Sequence, residues 1–500
     1  MGIIIRQSVR QSVVQYIGIA IGLLSTLFVY PLALSEMGLM RFIINTAQLA
    51  TPFCLLGTQV LAVRFFPVFR DEATKHHGFL SLLHLIALAG VGFFVGVFAL
   101  FSNEFATLFR DQPAEYLPFL PYVAPMVLFM VLAFLYTSYA TNFHKVVYPA
   151  IFNELGAKVG LPVLILAFYF GWIGLTAMMN GMLLLFGAVF LAHAFYLASI
   201  GQFNFRRPDW GFITKPLRKE LFQFGSVNIL SNWAFMLSNR IDIFMLGLLL
   251  GPGAFKGVGI YSIFFVMSEV IDTPRKALMN ISSPIIADAW KREDRAHLKE
   301  LYEKSSLNQF LAGWLLFLGI WAALEGLFVL MPNGEEVAAG RWVFFFLGLG
   351  KIMEMLTGVN ALIIQHSRYF RFNFYSVLVL AAVNILNNLW LIPLYGMLGA
   401  AISSFLSVTL FNLAKYLFLL VKMRMNPFSR GTLIIFVTGL VALGLGYLVP
   451  VPTHNVWLAI AGLAGRSLVI AGVYIGVILY LRVSGDLNEV VKRVVGWLRG

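Results

Sequence analysis

Apolar runs of about twenty residues follow one another along nearly the whole chain, separated by short polar connections. A helix of that length crosses the hydrocarbon of a bilayer. Within lipid, only helices and closed barrels satisfy every backbone N–H and C=O. The pattern predicts fourteen helical spans, at 11–34, 38–63, 78–101, 117–140, 148–170, 173–199, 220–250, 257–286, 304–331, 341–363, 370–393, 396–421, 431–450 and 456–481. Pro31, Pro52, Pro125, Pro162, Pro274 and Pro284 interrupt these runs. Membrane helices tolerate proline, and such breaks mark bends that a rocking motion can use.

The polar connections fix an orientation. Those on one expected side carry Arg64, Arg70, Lys75, Lys145, Arg206, Arg207, Lys215, Arg218, Lys219, Lys291, Arg292, Arg295, Lys299, Lys304, Arg368, Arg371, Lys422, Arg424 and Arg430. The other side carries Arg110, Lys256 and Arg341 against Glu104, Asp111, Glu115, Glu335 and Glu336. Basic residues gather on cytoplasmic loops, so the asymmetry predicts both termini in the cytoplasm. Arg6 and Arg10 anchor the first span there, with no cleavage site after a short apolar core. The segment KREDRAHLKELYEKS (291–305) holds i,i+4 charge pairs and reads as a short surface helix.

An internal repeat accompanies the spans. Gly38-Leu-Met-Arg-Phe opens the second span and Gly259-Ile-Tyr-Ser-Ile the eighth, an offset of 221 residues. Gly171-Trp-Ile-Gly174 and Gly396-Met-Leu-Gly399 link later spans at an offset of 225 residues. A shift of six spans preserves orientation and predicts two parallel, pseudo-symmetric six-helix lobes with two further C-terminal helices. The expected division is 1–200, a cytoplasmic linker at 201–219, a second lobe at 220–423, and 424–500 with spans thirteen and fourteen.

Composition agrees with an all-α integral membrane protein: 60% hydrophobic, 12% charged, mean hydropathy +0.84. The net charge of +13 follows from the loop asymmetry rather than from nucleic-acid binding. The one cysteine, Cys54, excludes a disulfide framework. No phosphate-binding glycine loop, nucleophile elbow or H-E-x-x-H is present, and His76-His77 lack metal-ligand spacing, so neither an enzyme nor a metal site is expected.

Candidate chemistry lies in charges at bilayer depth. An ionisable group there costs roughly 2.5–3.5 kcal/mol on insertion scales and normally faces a cavity or a partner. The cations are Arg41, Lys158, Arg240, Arg275, Lys276, Lys351, Lys415 and Arg466. Glu154 and Lys158, Asp272 with Arg275 and Lys276, and Lys351 with Glu354 are spaced to pair along one helix, with Glu269 one turn away. Each set reads either as a self-neutralising pair or as part of an anion site. Arg240 and Asp242, two apart, point to different surroundings. Arg41 and Lys415 lie close enough to the span ends to snorkel, and Arg466 meets either another helix or a lipid phosphate. Arg41, Lys158, Arg240, Arg275, Lys351 and Lys415 are the expected ligands of an anionic cargo. Glu154, Asp242, Glu269, Asp272 and Glu354 tune that charge or bind a coupling H⁺ or Na⁺. Asn228, Asn232, Asn384 and Asn388 serve either interhelical bonding or contact with sugar hydroxyls.

The segments NNLWLIPLYGMLGAAISSF (387–405), RIDIFMLG (240–247), GVGIYSIFFVMSEVI (257–271) and VYPLALSEMGLMRF (29–42) carry a resemblance. The chain resembles the polysaccharide-transport branch of the multidrug, oligosaccharidyl-lipid and polysaccharide (MOP) exporter superfamily, which includes O-antigen flippases. The resemblance implies two lobes around a central cavity that opens alternately to either side. It implies movement of an undecaprenyl-diphosphate-linked oligosaccharide from the inner to the outer leaflet of a bacterial cytoplasmic membrane. Membrane lipids and other polysaccharide-assembly membrane proteins are the implied partners, with no cofactor. In related lipid II flippases, arginines near the start of spans two and eight hold the pyrophosphate. Arg41 stands near the first placement, and Arg275 lies deeper in span eight. Spans thirteen and fourteen are implied to hold the lipid tail. Two alternatives stay open: a drug or organic-cation antiporter, which needs a net-acidic cavity, and a membrane polymerase or ligase, which needs a sizeable outer loop.

Overall fold

A computed structural model describes residues 2–109, 111–143, 147–452 and 455–499, without the side chains of 2–13, 103, 105–106, 227–228, 230–232, 234–235, 238–239, 490 and 494–499. Among the described residues there is no strand. A helix lies on each expected span: α1 (Gly2–Phe28), α2 (Leu34–Cys54), α3 (Phe79–Leu100), α4 (Val123–Thr141), α5 (Val147–Tyr169), α6 (Leu175–Ser199), α7 (Lys215–Leu249), α8 (Ala254–Lys291), α9 (Arg295–Leu330), α10 (Arg341–Leu356), α11 (Phe370–Tyr395), α12 (Met397–Met423), α13 (Arg430–Tyr447) and α14 (Val456–Tyr480). A further helix, α15 (Gly485–Arg499), ends the chain.

By length and apolarity, ten helices among the described residues can cross a membrane: α3–α6, α8, α9 and α11–α14. The number is twelve if two bent pairs each count as one span. Fourteen crossings are therefore not established. The difference has local causes. α1 and α2 are bent by 46° around Tyr30–Ala33, and α10 bends by 50° into Asn360–His366. α7 is diluted by Arg240, Asp242 and several amides. The expected surface helix after α8 is instead the first turns of α9, capped by Asp294, whose Oδ1 accepts from the His297 amide at 2.9 Å. Its charge pairs do form, with Lys304 at 2.7 Å from Glu300.

The chain divides into two compact units, Met1–Ser262 and Ile263–Gly500. The division falls inside α8 rather than in the 201–219 linker, because α7 packs along α2. In the first unit α2 is the buried centre, with α3, α4 and α7 against it. α5 bridges α1 and α6. α2 crosses the start of α8 with no side chain between them. A Cβ on Gly38 would strike the Phe255 carbonyl, and one on Gly259 would strike the Leu34 carbonyl. The two glycines that open the sequence repeat are thus each other's contact.

In the second unit α9 is central, flanked by α10 and by α13 and α14, and α12, paired with α11 in a hairpin, packs along α10. That hairpin turns at Gly396, whose φ of +59° suits glycine. The break after α10 leaves polar backbone groups that α9 satisfies. Ser306 donates to the Leu356 carbonyl at 2.6 Å, and Ser305 Oγ accepts from the Val359 amide at 3.3 Å. Arg466 on α14 is 5% exposed. It donates to the Ala322 carbonyl at 2.9 Å, to the Val449 carbonyl at 3.1 Å, and reaches Glu325 at 3.5 Å. Of its two expected roles, this is contact with another helix.

Candidate functional site

The charges on α8 recur at 269, 272 and 276, with Arg275 beside them, so one stripe of the helix carries both signs. Pro274 sits within that stripe and cannot donate to the Val270 carbonyl, which leaves a polar backbone group at the same level. α10 brings Lys351 and Glu354 to this stripe, and α12 brings Lys415. All seven residues belong to the second unit.

The ion pairs form one continuous network. Lys351 Nζ lies 2.6 Å from Glu269 Oε1, and the other oxygen of Glu269 takes Lys276. Lys276 also lies 3.3 Å from Asp272, whose carboxylate holds Arg275 through two guanidinium nitrogens. Arg275 in turn reaches Glu354 at 3.4 Å. The expected pairs of Asp272 with Arg275 and Lys276 are present. Lys351 and Glu354 do not pair with each other, as their i,i+3 spacing predicted. Each turns to a partner on α8 instead, because α10 packs with this face toward the stripe.

The pairing is shared rather than private, and the sum is not neutral. Arg275, Lys276, Lys351 and Lys415 oppose Glu269, Asp272 and Glu354, a formal excess of one positive charge. Lys415 carries that excess. It is 4% exposed, and among the described residues no carboxylate lies within ion-pair distance of it. Its ammonium sits 3.5 Å over the Phe411 ring, a weaker cation–π contact. The network itself is reachable: the Lys351, Arg275 and Glu354 side chains are 16%, 20% and 25% exposed. Ionised groups held at partial exposure, with one cation in excess, can take an anionic oxygen by exchanging partners.

The other expected residues fall into separate groups. In the first unit, Arg41 lies over the Tyr30 ring at 5.0 Å, and Asn45 links α2 to α7 by accepting from Arg240 Nη1 at 3.2 Å. Asp242 faces the other way and accepts from the Tyr261 hydroxyl at 3.1 Å, as the two-residue spacing requires. Glu154 and Lys158 pair at 2.5 Å on α5. Gly18 and Gly22 of α1 leave the room for that pair, since a Cβ on Gly18 would lie 3.2 Å from Glu154 Oε2. Asn384 and Asn388 are 1% and 0% exposed. Asn388 Nδ2 donates to Asn384 Oδ1 at 3.1 Å, and Ser403 donates to the same oxygen at 2.9 Å. These two amides join α11 to α12 and are not on an open sugar-facing surface. The side chains of Asn228 and Asn232 lie outside the described residues.

Sequence reasoning missed Asn45, Tyr261, Gly18 and Gly22. Asn45 is four residues from Arg41 and was visible as a polar residue on the same face. The glycines carry no such signal, because their role depends on which helix lies against α1.

No protein-family model matches the chain, and no curated protein matches it by sequence. Solved structures do. The chain is similar to the lipid II flippase MurJ in an inward closed conformation, with a TM-score of 0.67 at 12% identity over 95% of this chain and 99% of that one. It is similar to an inward-facing multidrug resistance MATE family transporter of the MOP superfamily, with a TM-score of 0.58 at 16% identity over 84% of this chain and 98% of that one. A MOP superfamily transporter from Pyrococcus furiosus, described by the reverse polarity of its binding pocket, gives a TM-score of 0.51 at 14% identity over 84% and 95%. At these identities the likeness is one of fold. The chain has the all-α fold of MOP superfamily transporters.

Proposed function

We propose that this chain, built on the MOP transporter fold, is a flippase for a lipid-linked anionic glycan. Its cargo is an undecaprenyl-diphosphate-linked oligosaccharide, the repeat unit of an O-antigen, capsule or exopolysaccharide. The cargo moves from the cytoplasmic to the outer leaflet of a bacterial inner membrane by alternating access, with both termini of the protein in the cytoplasm. The observation that carries this reading is the α8–α10–α12 network with its surplus cation, Lys415. A diphosphate oxygen is a better partner for a desolvated ammonium than an aromatic ring. The likeness in fold to a lipid II flippase supports a lipid-linked cargo.

Release matters as much as capture. Arg275 shares itself between Asp272 and Glu354, and the Glu354 contact at 3.4 Å is the longer one. A phosphate arriving at Arg275 displaces Glu354 rather than Asp272. The freed carboxylate then binds H⁺ or Na⁺, and that exchange couples the cycle to an ion gradient. Arg41, Arg240 and Lys158 in the first unit serve the same anion at another stage of its passage.

A drug or organic-cation antiporter, the alternative reading, requires a carboxylate free to take a cation. Every carboxylate of the network already holds one or two basic side chains. That pairing favours the anion. A polymerase or ligase finds no support, since the expected outer connections are short.

The test is flipping of a lipid-linked oligosaccharide by the protein reconstituted in proteoliposomes. Lys351→Ala and Arg240→Ala should each slow transport by about tenfold or more, the loss expected of one charge-assisted hydrogen bond. Normal rates in both variants, with normal insertion, would sink the reading.

A further inference from the structure

The segment between α2 and α3 contains an unusual backbone. Lys75, His76 and His77 all have positive φ (52°, 57° and 51°) and lead into Gly78 at 69°. Three successive non-glycine residues in the left-handed region persist only where the surroundings hold them. What holds them here is the connection between α6 and α7. Asp209 N donates to the His77 carbonyl at 3.0 Å, and Gly78 lies against the carbonyls of Arg206 and Arg207. The His77 ring stacks on Phe212 at 3.8 Å between centroids, 8° from parallel.

The two imidazoles are wired differently. His76 Nδ1 accepts from the Asp71 amide at 3.2 Å, so its Nε2 is the donor to Gln202 Oε1 at 3.0 Å. That ring is 5% exposed. His77 instead has a carboxylate at each nitrogen: Asp209 Oδ2 at 3.2 Å from Nδ1 and Asp71 Oδ2 at 3.7 Å from Nε2. The first is a hydrogen bond and the second an ion-pair distance, so a charged ring is attracted to both carboxylates. Arg70, Glu72, Lys75 and the two arginines, 206 and 207, are the charged residues nearest to the pair in the chain.

We propose that His77 is a pH-responsive latch: in its charged form it clamps Asp71 to Asp209 and pins the 202–212 connection beneath α3, and loss of that charge loosens it. Imidazoles gain or lose their proton between about pH 5 and 8. Asp209 is held below the usual carboxylate range, first by the His77 hydrogen bond and then by the Phe212 amide. Asp71 is lowered in the same sense, chiefly by the Thr74 hydroxyl. A lowered carboxylate loses its contribution only as pH falls through its folded value. Both therefore stay charged across the imidazole range, and the change there belongs to the ring. The connection that is gripped joins the sixth and seventh helices, so the latch sets how freely it moves.

The test uses the full chain in lipid nanodiscs and amide hydrogen exchange of peptides covering 203–214, corrected for intrinsic rates. In the unmodified protein these amides should be about fivefold better protected at about pH 6 than at about pH 8, the effect of two partly exposed ion pairs. His77→Asn, which tolerates the left-handed backbone, should remove the difference. Asp209→Asn, at a half-exposed site where misfolding is not at stake, should also reduce it. Equal protection at both pH values in the unmodified protein overturns the latch, as does a difference that survives either substitution undiminished.

Discussion

Lys415 is buried and, among the described residues, has no carboxylate within ion-pair distance, its Nζ resting over the Phe411 ring, whereas Lys351 has Glu269 at 2.6 Å. A buried charge without a counter-charge costs several kcal/mol that the rest of the fold must offset. If the residue served stability, replacing it with a residue of similar shape and no charge would be harmful. Lys415→Met should instead leave the thermal midpoint unchanged or raise it, while oligosaccharide flipping falls. Unfolding in detergent and transport in proteoliposomes, measured on one preparation, separate the two roles. A midpoint that drops together with transport would make Lys415 a structural residue. Which charges meet was only half legible beforehand. Glu154 with Lys158, and Asp272 with Arg275 and Lys276, are readable because both partners ride one helix, whose period fixes their spacing. Glu269 with Lys351 and Glu354 with Arg275 are not, because they need α8 and α10 set side by side at one register, which apolar faces leave open.

The helices themselves were legible for the reason that lipid is a uniform solvent: apolar length alone places them. Their breaks were less so. The bend at 357–359 is held by Ser305 and Ser306 of α9, two serines that a hydropathy pattern cannot tell from any others. The repeat revealed Gly38 and Gly259 as equivalent positions but not as partners, since equivalence is a property of sequence and contact is one of space. Their contact is backbone on backbone, with Leu34 and Phe255 carbonyls where any side chain would sit. Overpacking a close crossing typically costs about 1–3 kcal/mol. Gly38→Leu should therefore lower the thermal midpoint by several degrees. Gly92→Leu, on an exposed face of α3 with nothing within 4 Å, should not move it. Equal effects of the two would mean that α2 and α8 tolerate separation at this point.

For the whole molecule, the proposed flipping depends on which way the chain lies in its membrane, since an inverted chain would present its basic loops to the wrong leaflet. The basic connections predict one orientation, and the helix lengths add a reason to expect it to be firm. α7, α8 and α9 run 35, 38 and 36 residues, or about 52–57 Å at 1.5 Å per residue, far longer than the roughly 30 Å hydrocarbon core. The excess lies at basic ends: Lys215, Arg218 and Lys219 on α7, Lys291 on α8, and Arg295, Lys299 and Lys304 on α9. Moving such ends across a bilayer is costly, so the orientation should be single. The only cysteine, Cys54, is buried, and Cys54→Ala gives a background free of thiols. On it, a cysteine at Lys299 should be protected from an impermeant maleimide in intact bacteria and labelled only after the membrane is opened. A cysteine at Glu335, at the far end of α9, should be labelled in intact cells. The reverse pattern would invert every assignment of leaflet, and labelling of both sites from outside would mean two populations of opposite orientation.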